Sequence, residues 1–203
     1  GVYMHIDGSQ LQYEKRCGGI AGSKQIVEEY LKIVGEDSSE DSGFVKELDF
    51  SRLDRLYMKM IEYYSKDPKR IQHFVKVHSF ASLIGRKENI MPRDQLILEA
   101  AAYVHDIGIK PSEEKYGDTN GAHQEELGEP LALEMLLECG FSEKIAKRVA
   151  YLVGHHHTYS DIKGIDYQIL VEADFLVNFY EDGCDLSSIE SAKNKIILIS
   201  LEI

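Results

Sequence analysis

A chain of 203 residues, 43% of them hydrophobic, is long enough to bury a sizeable core in one domain, or in one domain with an appendage. Asp and Glu total 35 against 23 Lys and Arg, a formal charge of −12. That balance excludes sequence-independent binding of nucleic-acid duplexes or anionic membranes as the main activity, because phosphate contacts are mostly cationic.

No apolar run approaches the ~18 residues of a membrane span, and Gly1–Gly8 does not read as a secretory leader. Cys17, Cys139 and Cys184 are too few and too scattered for a disulfide framework or a thiolate metal site. The expectation is a cytoplasmic protein with reduced thiols. Residues 1–50 read as an N-terminal appendage. Ile26, Val27, Tyr30, Leu31 and Val34 recur at helical spacing and predict a short helix over 23–34, followed by the acidic, aperiodic linker Gly35–Gly43. Three roles are open to this segment: a lid, a contact between copies in a homodimer, or a disordered tail.

From 51 to 203 the chain reads as one all-α domain. Leu53, Leu56, Tyr57, Met60, Ile61 and Tyr64 form a first apolar stripe. Asp67-Pro68 offers a capping acceptor followed by proline at the first helical position. The helix it opens ends near Arg86 and carries His73 on the stripe of Val77, Phe80, Ala81 and Ile84. Pro92 opens a helix through Leu96 to Ile107 that is apolar on nearly every face and therefore central. Gly108 is expected to end it and Pro111 to prevent its resumption. A helix over about 122–138, broken or kinked at Pro130, should follow. Next come a Ser142-capped helix with Ile145, Val149, Leu152 and Val153, and two more over about 166–181 and 188–200.

The chemistry gathers where these helices end. His73 points inward, His105 and Asp106 end the central helix, and Asp174 is embedded in the apolar run Ile169–Val177. A buried carboxylate is costly unless it is paired, protonated or bound to a cation. Taken alone, His73 reads first as a hydrogen-bonded core histidine, and His105-Asp106 equally as a helix-capping pair or a metal site. Together, two carboxylates and two imidazoles aimed at one interior require a positive centre, which a divalent metal supplies. Adjacent helical residues lie ~100° apart, so His105 and Asp106 can serve one ion, or bridge two, only at a helix terminus. The ligand chemistry suits Fe, Mn, Co, Ni or Zn rather than Mg or Ca, without choosing among them. His123, in a first helical turn, and the run His155-His156-His157 add imidazoles. Extending the stripe of Val149 and Leu152 lands on His156, with His157 the first alternative and His155 the second. His78 and His5 read as structural or surface residues, and Lys144, Lys147 and Arg148 as a solvated face.

The order His73, His105-Asp106, Asp174 resembles the HD superfamily of metal-dependent phosphohydrolases, whose pattern is a histidine, an adjacent His-Asp pair and a distal aspartate, each on a helix. Arg70–Val77, Ala101–Gly108 and Glu172–Asp174 carry the three elements, and the resemblance spans roughly 55–180. It implies an HD-domain-like helical bundle with a metal site between central helices. The metal ligands would be His73, His105, Asp106 and Asp174. His123, His156 and His157 resemble the subset of the superfamily that holds a second metal, with Asp106 bridging. The implied activity is hydrolysis of a phosphate ester, a nucleotide or small phosphorylated metabolite, by a metal-activated water, with one or two divalent ions and with His105 and Asp106 as the catalytic pair. Lys110 is the expected phosphate contact. The cyclic-dinucleotide branch of the superfamily is not implied: there a lysine directly follows His-Asp-Ile-Gly, whereas here Ile109 intervenes, and Thr158-Tyr159-Ser160 follows the histidine run. A di-iron oxygenase and a non-catalytic ligand-sensing module are the alternative functions compatible with the superfamily.

Overall fold

A computed structural model describes residues 47–195, with side chains from 52 to 192. The predicted helix over 23–34, the acidic linker, His5 and Cys17 lie outside the described residues. Among the described residues there are eight α-helices and no strand: α1 (Glu47–Tyr63), α2 (Pro68–Lys87), α3 (Pro92–Val104), α4 (Ile109–Tyr116), α5 (Gly121–Glu138), α6 (Glu143–Val153), α7 (Ile165–Glu181) and α8 (Leu186–Lys195). The all-α class read from the sequence is the class of the fold. No helix among them is long and apolar enough to cross a membrane.

The start of α2 follows its sequence signal, with the Asp67 side chain accepting from the Arg70 N–H at 3.2 Å and Pro68 as the first helical residue. Its buried face centres between Val77 and Ala81, which puts His73 at one edge of that face. Phe80, expected on the same stripe, lies at the margin and is 40% exposed. α3 is central: Leu96, Ile97, Leu98, Ala100, Ala101, Ala102 and Val104 are all buried, and the helix packs against α1, α2, α6 and α7. Small alanines on three successive positions let its neighbours approach from several sides.

Two expectations about proline are corrected. α3 stops at Val104 and not at Ile107. A tight turn, closed by Ile107 N–H to the Val104 carbonyl (3.0 Å) and Ile109 N–H to the Asp106 carbonyl (3.0 Å), carries the chain directly into α4. Pro111 does not block resumption, because it falls in the first turn of α4, where an N–H has no intrahelical partner to lose. α5 likewise runs unbroken through Pro130. Pro130 and Glu126, the residue whose carbonyl loses its partner, both lie on the water-facing side of that helix. The turn after α3 touches α5 backbone to backbone: a Cβ on Gly108 would stand 2.1 Å from the Gln124 carbonyl oxygen. Gly128 on the same helix lets Val153 of α6 approach, a Cβ there standing 3.0 Å from its methyl group. These contacts bring the ends of α3, α5 and α6 to one place, and α7 closes it by packing on α2 and α3.

Candidate metal centre

Four helix segments deliver the converging side chains. His73 comes from the inner edge of α2, His105 and Asp106 from the turn that ends α3, His156 and His157 from the turns after α6, and Asp174 from the buried face of α7. His73 Nε2 lies 3.2 Å from His105 Nε2, 3.1 Å from Asp174 Oδ1 and 3.4 Å from Asp106 Oδ2. His105 Nε2 is 3.4 Å from Asp106 Oδ2 and 3.6 Å from Asp174 Oδ1. His156 Nε2 stands 3.6 Å from the other Asp106 oxygen. Two groups have ligand atoms within 4.8 Å of one another: His73 with His105 and Asp106, and Asp106 with His156 and His157. Asp106 belongs to both, so its two oxygens face two sets of imidazoles.

The hydrogen bonds on the far side of each ring decide which nitrogen is bare. His105 Nδ1 donates to the Ala102 carbonyl (3.0 Å) and His156 Nδ1 to the Val153 carbonyl (2.8 Å), and a carbonyl can only accept. His73 Nδ1 donates to Glu181 Oε2 at 3.0 Å. In the neutral rings, therefore, all three Nε2 atoms are lone pairs, and they face carboxylate oxygens that are also lone pairs. His156 Nε2 is buried and without a hydrogen-bond partner. With neutral rings the centre is an array of acceptors without a donor, so it calls for positive charge, which a divalent cation supplies and which protons on His73 and His105 supply without one.

The electrostatics carry the same message. Burial alone would lower both His73 and His105, yet Asp174 and Asp106 outweigh it and hold the two imidazoles above their ordinary value, His105 well above. Burial would raise Asp106 and Asp174, but His105, with help from His73 and, at Asp106, from His156, holds both below the usual carboxylate range. The carboxylates keep their charge and demand a positive partner. His157 is different: burial, then neighbouring His156, pushes it down to about 4, so it stays a neutral ring. Its Nε2 lies 3.3 Å from Gln124 Oε1, while the Gln124 amide nitrogen donates to the Thr119 carbonyl (2.7 Å). That orientation makes His157 Nε2 the donor and leaves its Nδ1 bare.

The structure places the other candidates elsewhere. His123 stacks on Tyr116 (3.9 Å between ring centroids) and bonds Asp118 at 2.9 Å, away from the converging ligands. His155 stacks on Tyr151 and bonds its carbonyl. Lys110 is exposed with its ammonium over the Tyr63 ring, 5.1 Å from the centroid. It is not among the residues lining the cavity of about 410 Å³ that opens onto the centre. The cations that do line that cavity are Lys69 and Arg70, alongside His73, Asp106, His157, Asp174 and Glu181. Arg70 is pinned by Asp67 (3.2 Å) and Glu113 (2.6 Å).

Residues missed from the sequence support the candidate ligands from behind. Asn178 donates to Asp174 Oδ1 (3.0 Å), Glu181 accepts from His73, and Tyr64 O–H donates to the Asp106 carbonyl (2.6 Å). A signal for the first two existed: they follow Asp174 by four and seven residues and so share its helical face. His78, read as structural, bonds Glu99 at 3.1 Å and stacks on Tyr103.

Fold and site together define an all-helical domain with a candidate metal centre whose imidazole and carboxylate donors come from separate helices. Residues 70–192 match the family model of the HD domain, and the chain belongs to that family. Among solved structures it is similar to a predicted HD superfamily hydrolase from an uncultured Thermotogales bacterium, with 25% identity, a TM-score of 0.52, and coverage of 74% of this chain and 79% of that one. No curated protein matches significantly.

Proposed function

We propose that this protein is a metal-dependent phosphohydrolase that acts on the phosphate ester of a nucleotide or other small phosphorylated metabolite. The observation that carries the reading is the convergence of His73, His105, Asp106, His156 and Asp174 beside a cavity of metabolite size with Lys69 and Arg70 in its wall. His73, His105, Asp106 and Asp174 would hold one divalent transition ion, and Asp106, His156 and His157 a second. Such ions supply Lewis acidity, which neutralises charge on a phosphoryl group and lowers the pKa of water.

The chain's own residues do the rest. Lys69 and Arg70 are the cations of a lining that also carries Asp67, Asp106, Asp174, Glu181 and Asp182, so an anion would be drawn by these two side chains together with the ions the centre would hold. Because Asp67 and Glu113 fix the Arg70 guanidinium, it offers preset donors and loses little freedom on binding. Tyr64, through its bond to the Asp106 carbonyl, holds the turn on which both catalytic residues, His105 and Asp106, sit. The similarity to a protein described as a hydrolase supports the same reading.

The test is a panel of phosphate esters incubated with the protein and Mn(II), Fe(II), Co(II), Ni(II) or Zn(II). Release of inorganic phosphate, abolished by Asp106→Asn, is the expected result. Consumption of O₂ by the iron-loaded protein without phosphate release would replace hydrolysis by oxygenation, and metal uptake without any turnover would leave a sensing module.

A further inference from the structure

We propose that Glu181 is a positioning residue of the metal centre, its carboxylate setting the tautomer and donor strength of His73; the proposal rests on the metal-centre reading above. The three imidazoles that present Nε2 to the centre are not supported alike. His105 and His156 sit at helix ends, where carbonyls lack intrahelical partners, and each ring closes onto the carbonyl three residues back. His73 is in the interior of α2, where the carbonyls within its reach are already engaged in the helix. Its acceptor has to come from another element.

Glu181, the last residue of α7, provides it across the packed α2–α7 interface. One carboxylate oxygen accepts from His73 Nδ1 at 3.0 Å, and the other accepts from Lys76 Nζ at 2.6 Å. Lys76 stands one turn beyond His73 on the same helix, so the carboxylate is held at both ends and cannot rotate away from the ring. Only 12% of the Glu181 side chain is exposed, which limits competition from water. A carboxylate is a stronger acceptor than a carbonyl and makes the opposite ring nitrogen a better donor to a cation. His73 therefore receives a charge-assisted support that His105 and His156 lack.

The experiment uses the full chain and Zn(II), titrated in competition with a chromophoric chelator, on wild type, Glu181→Gln and Lys76→Met. Glu181→Gln keeps the shape and a neutral acceptor, so the fold should persist by circular dichroism while Zn(II) affinity falls about 10–100-fold. In the Zn(II)-loaded protein the His73 ring N–H proton should move upfield in Glu181→Gln. Lys76→Met breaks the ion pair but not the bond to His73, and should stay within about threefold of wild type, the small loss reflecting only a less rigid carboxylate. Equal Zn(II) affinity in wild type and Glu181→Gln would overturn the role of Glu181 and leave the metal centre standing. A loss in Lys76→Met as large as in Glu181→Gln would overturn it too, by assigning the effect to packing of α2 on α7. Failure of the wild type itself to bind Zn(II) would instead remove the metal-centre reading, and this proposal with it.

Discussion

Replacing His156 by Phe separates the energetics of folding from those of metal binding. The ring is 1% exposed, its Nδ1 donates to the Val153 carbonyl, and its Nε2 is buried without a partner. An unsatisfied buried polar atom costs about 1–3 kcal/mol, and losing the bond to the helix-end carbonyl costs about 1 kcal/mol. In chelator-treated protein the two nearly cancel, and Asp106 loses the ring that helps hold its charge, so His156→Phe should lie within about 2 kcal/mol of wild type. His105→Phe is the contrast. Without metal it strips the part-buried Asp106 and the buried Asp174 of the protonated nitrogen 3.4 and 3.6 Å away, a loss of about 3 kcal/mol. Metal separates His156→Phe from wild type. At a hundred times its dissociation constant an ion stabilises wild type by about 2.7 kcal/mol, and His156→Phe should gain well under half of that. Urea unfolding followed by circular dichroism, with chelator and then with Mn(II) or Zn(II), reads the three proteins in both conditions. A chelator-treated His156→Phe protein less stable than wild type by more than about 3 kcal/mol would refute the reasoning, because Nε2 would then have been making a bond. Full retention of the metal-induced gain would refute it equally.

Further outcomes follow from the same geometry. Without metal, the raised values of His73 and His105 mean that their contribution to stability is complete below about pH 6.5 and is lost as pH rises through their folded values. The depressed Asp106 and Asp174 contribute above about pH 4 and lose that contribution as pH falls through their folded values. Chelator-treated protein should thus have its highest urea midpoint in mildly acidic buffer and a falling midpoint from there to pH 9; a rising midpoint over that range would contradict the assignment. Arg148→Met should cost about 3 kcal/mol, since Asp166 (6% exposed) loses both guanidinium bonds, at 2.9 and 2.7 Å, while Zn(II) affinity stays at the wild-type value. Gly108→Ala should cost about 2–3 kcal/mol in thermal or urea unfolding, because the new methyl meets the Gln124 carbonyl on α5 and no side-chain rotation relieves it.

The parts of the fold and site legible in the sequence were those set by local periodicity and by the cost of burying charge. His73, the His105-Asp106 pair, His156 and Asp174 stood on apolar stripes or at helix ends, and apolar stripes pack together, so their convergence followed from hydrophobic pattern plus the need to neutralise two carboxylates. What failed at the helix boundaries was reasoning from single residues. Pro111 and Pro130 were read as breakers, but the penalty of a proline depends on whether its missing N–H had a partner and whether the freed carbonyl meets water. His123 stands in a first turn, where Asp118 of the preceding loop and the Tyr116 ring engage it locally. Lys110 was chosen for closeness in sequence to the pair, whereas α4 turns it onto Tyr63 and the cavity takes its cations from the start of α2. Those outcomes depend on the direction in which α4 and α5 leave the turn, and composition does not encode it.

At the inner ends of α3 and α6 the same dangling carbonyls that mark where the spiral stops also choose the tautomer of a ring. Ending the helix and orienting the candidate ligand are consequently one event. A chain lengthened by a turn at either point would fill those carbonyls with amide hydrogens and free the imidazoles to flip. The opposite ends of these two helices carry no such duty, so insertions and deletions should be tolerated there and purged at the inner ends, and metal competence should arise in step with folding instead of after it.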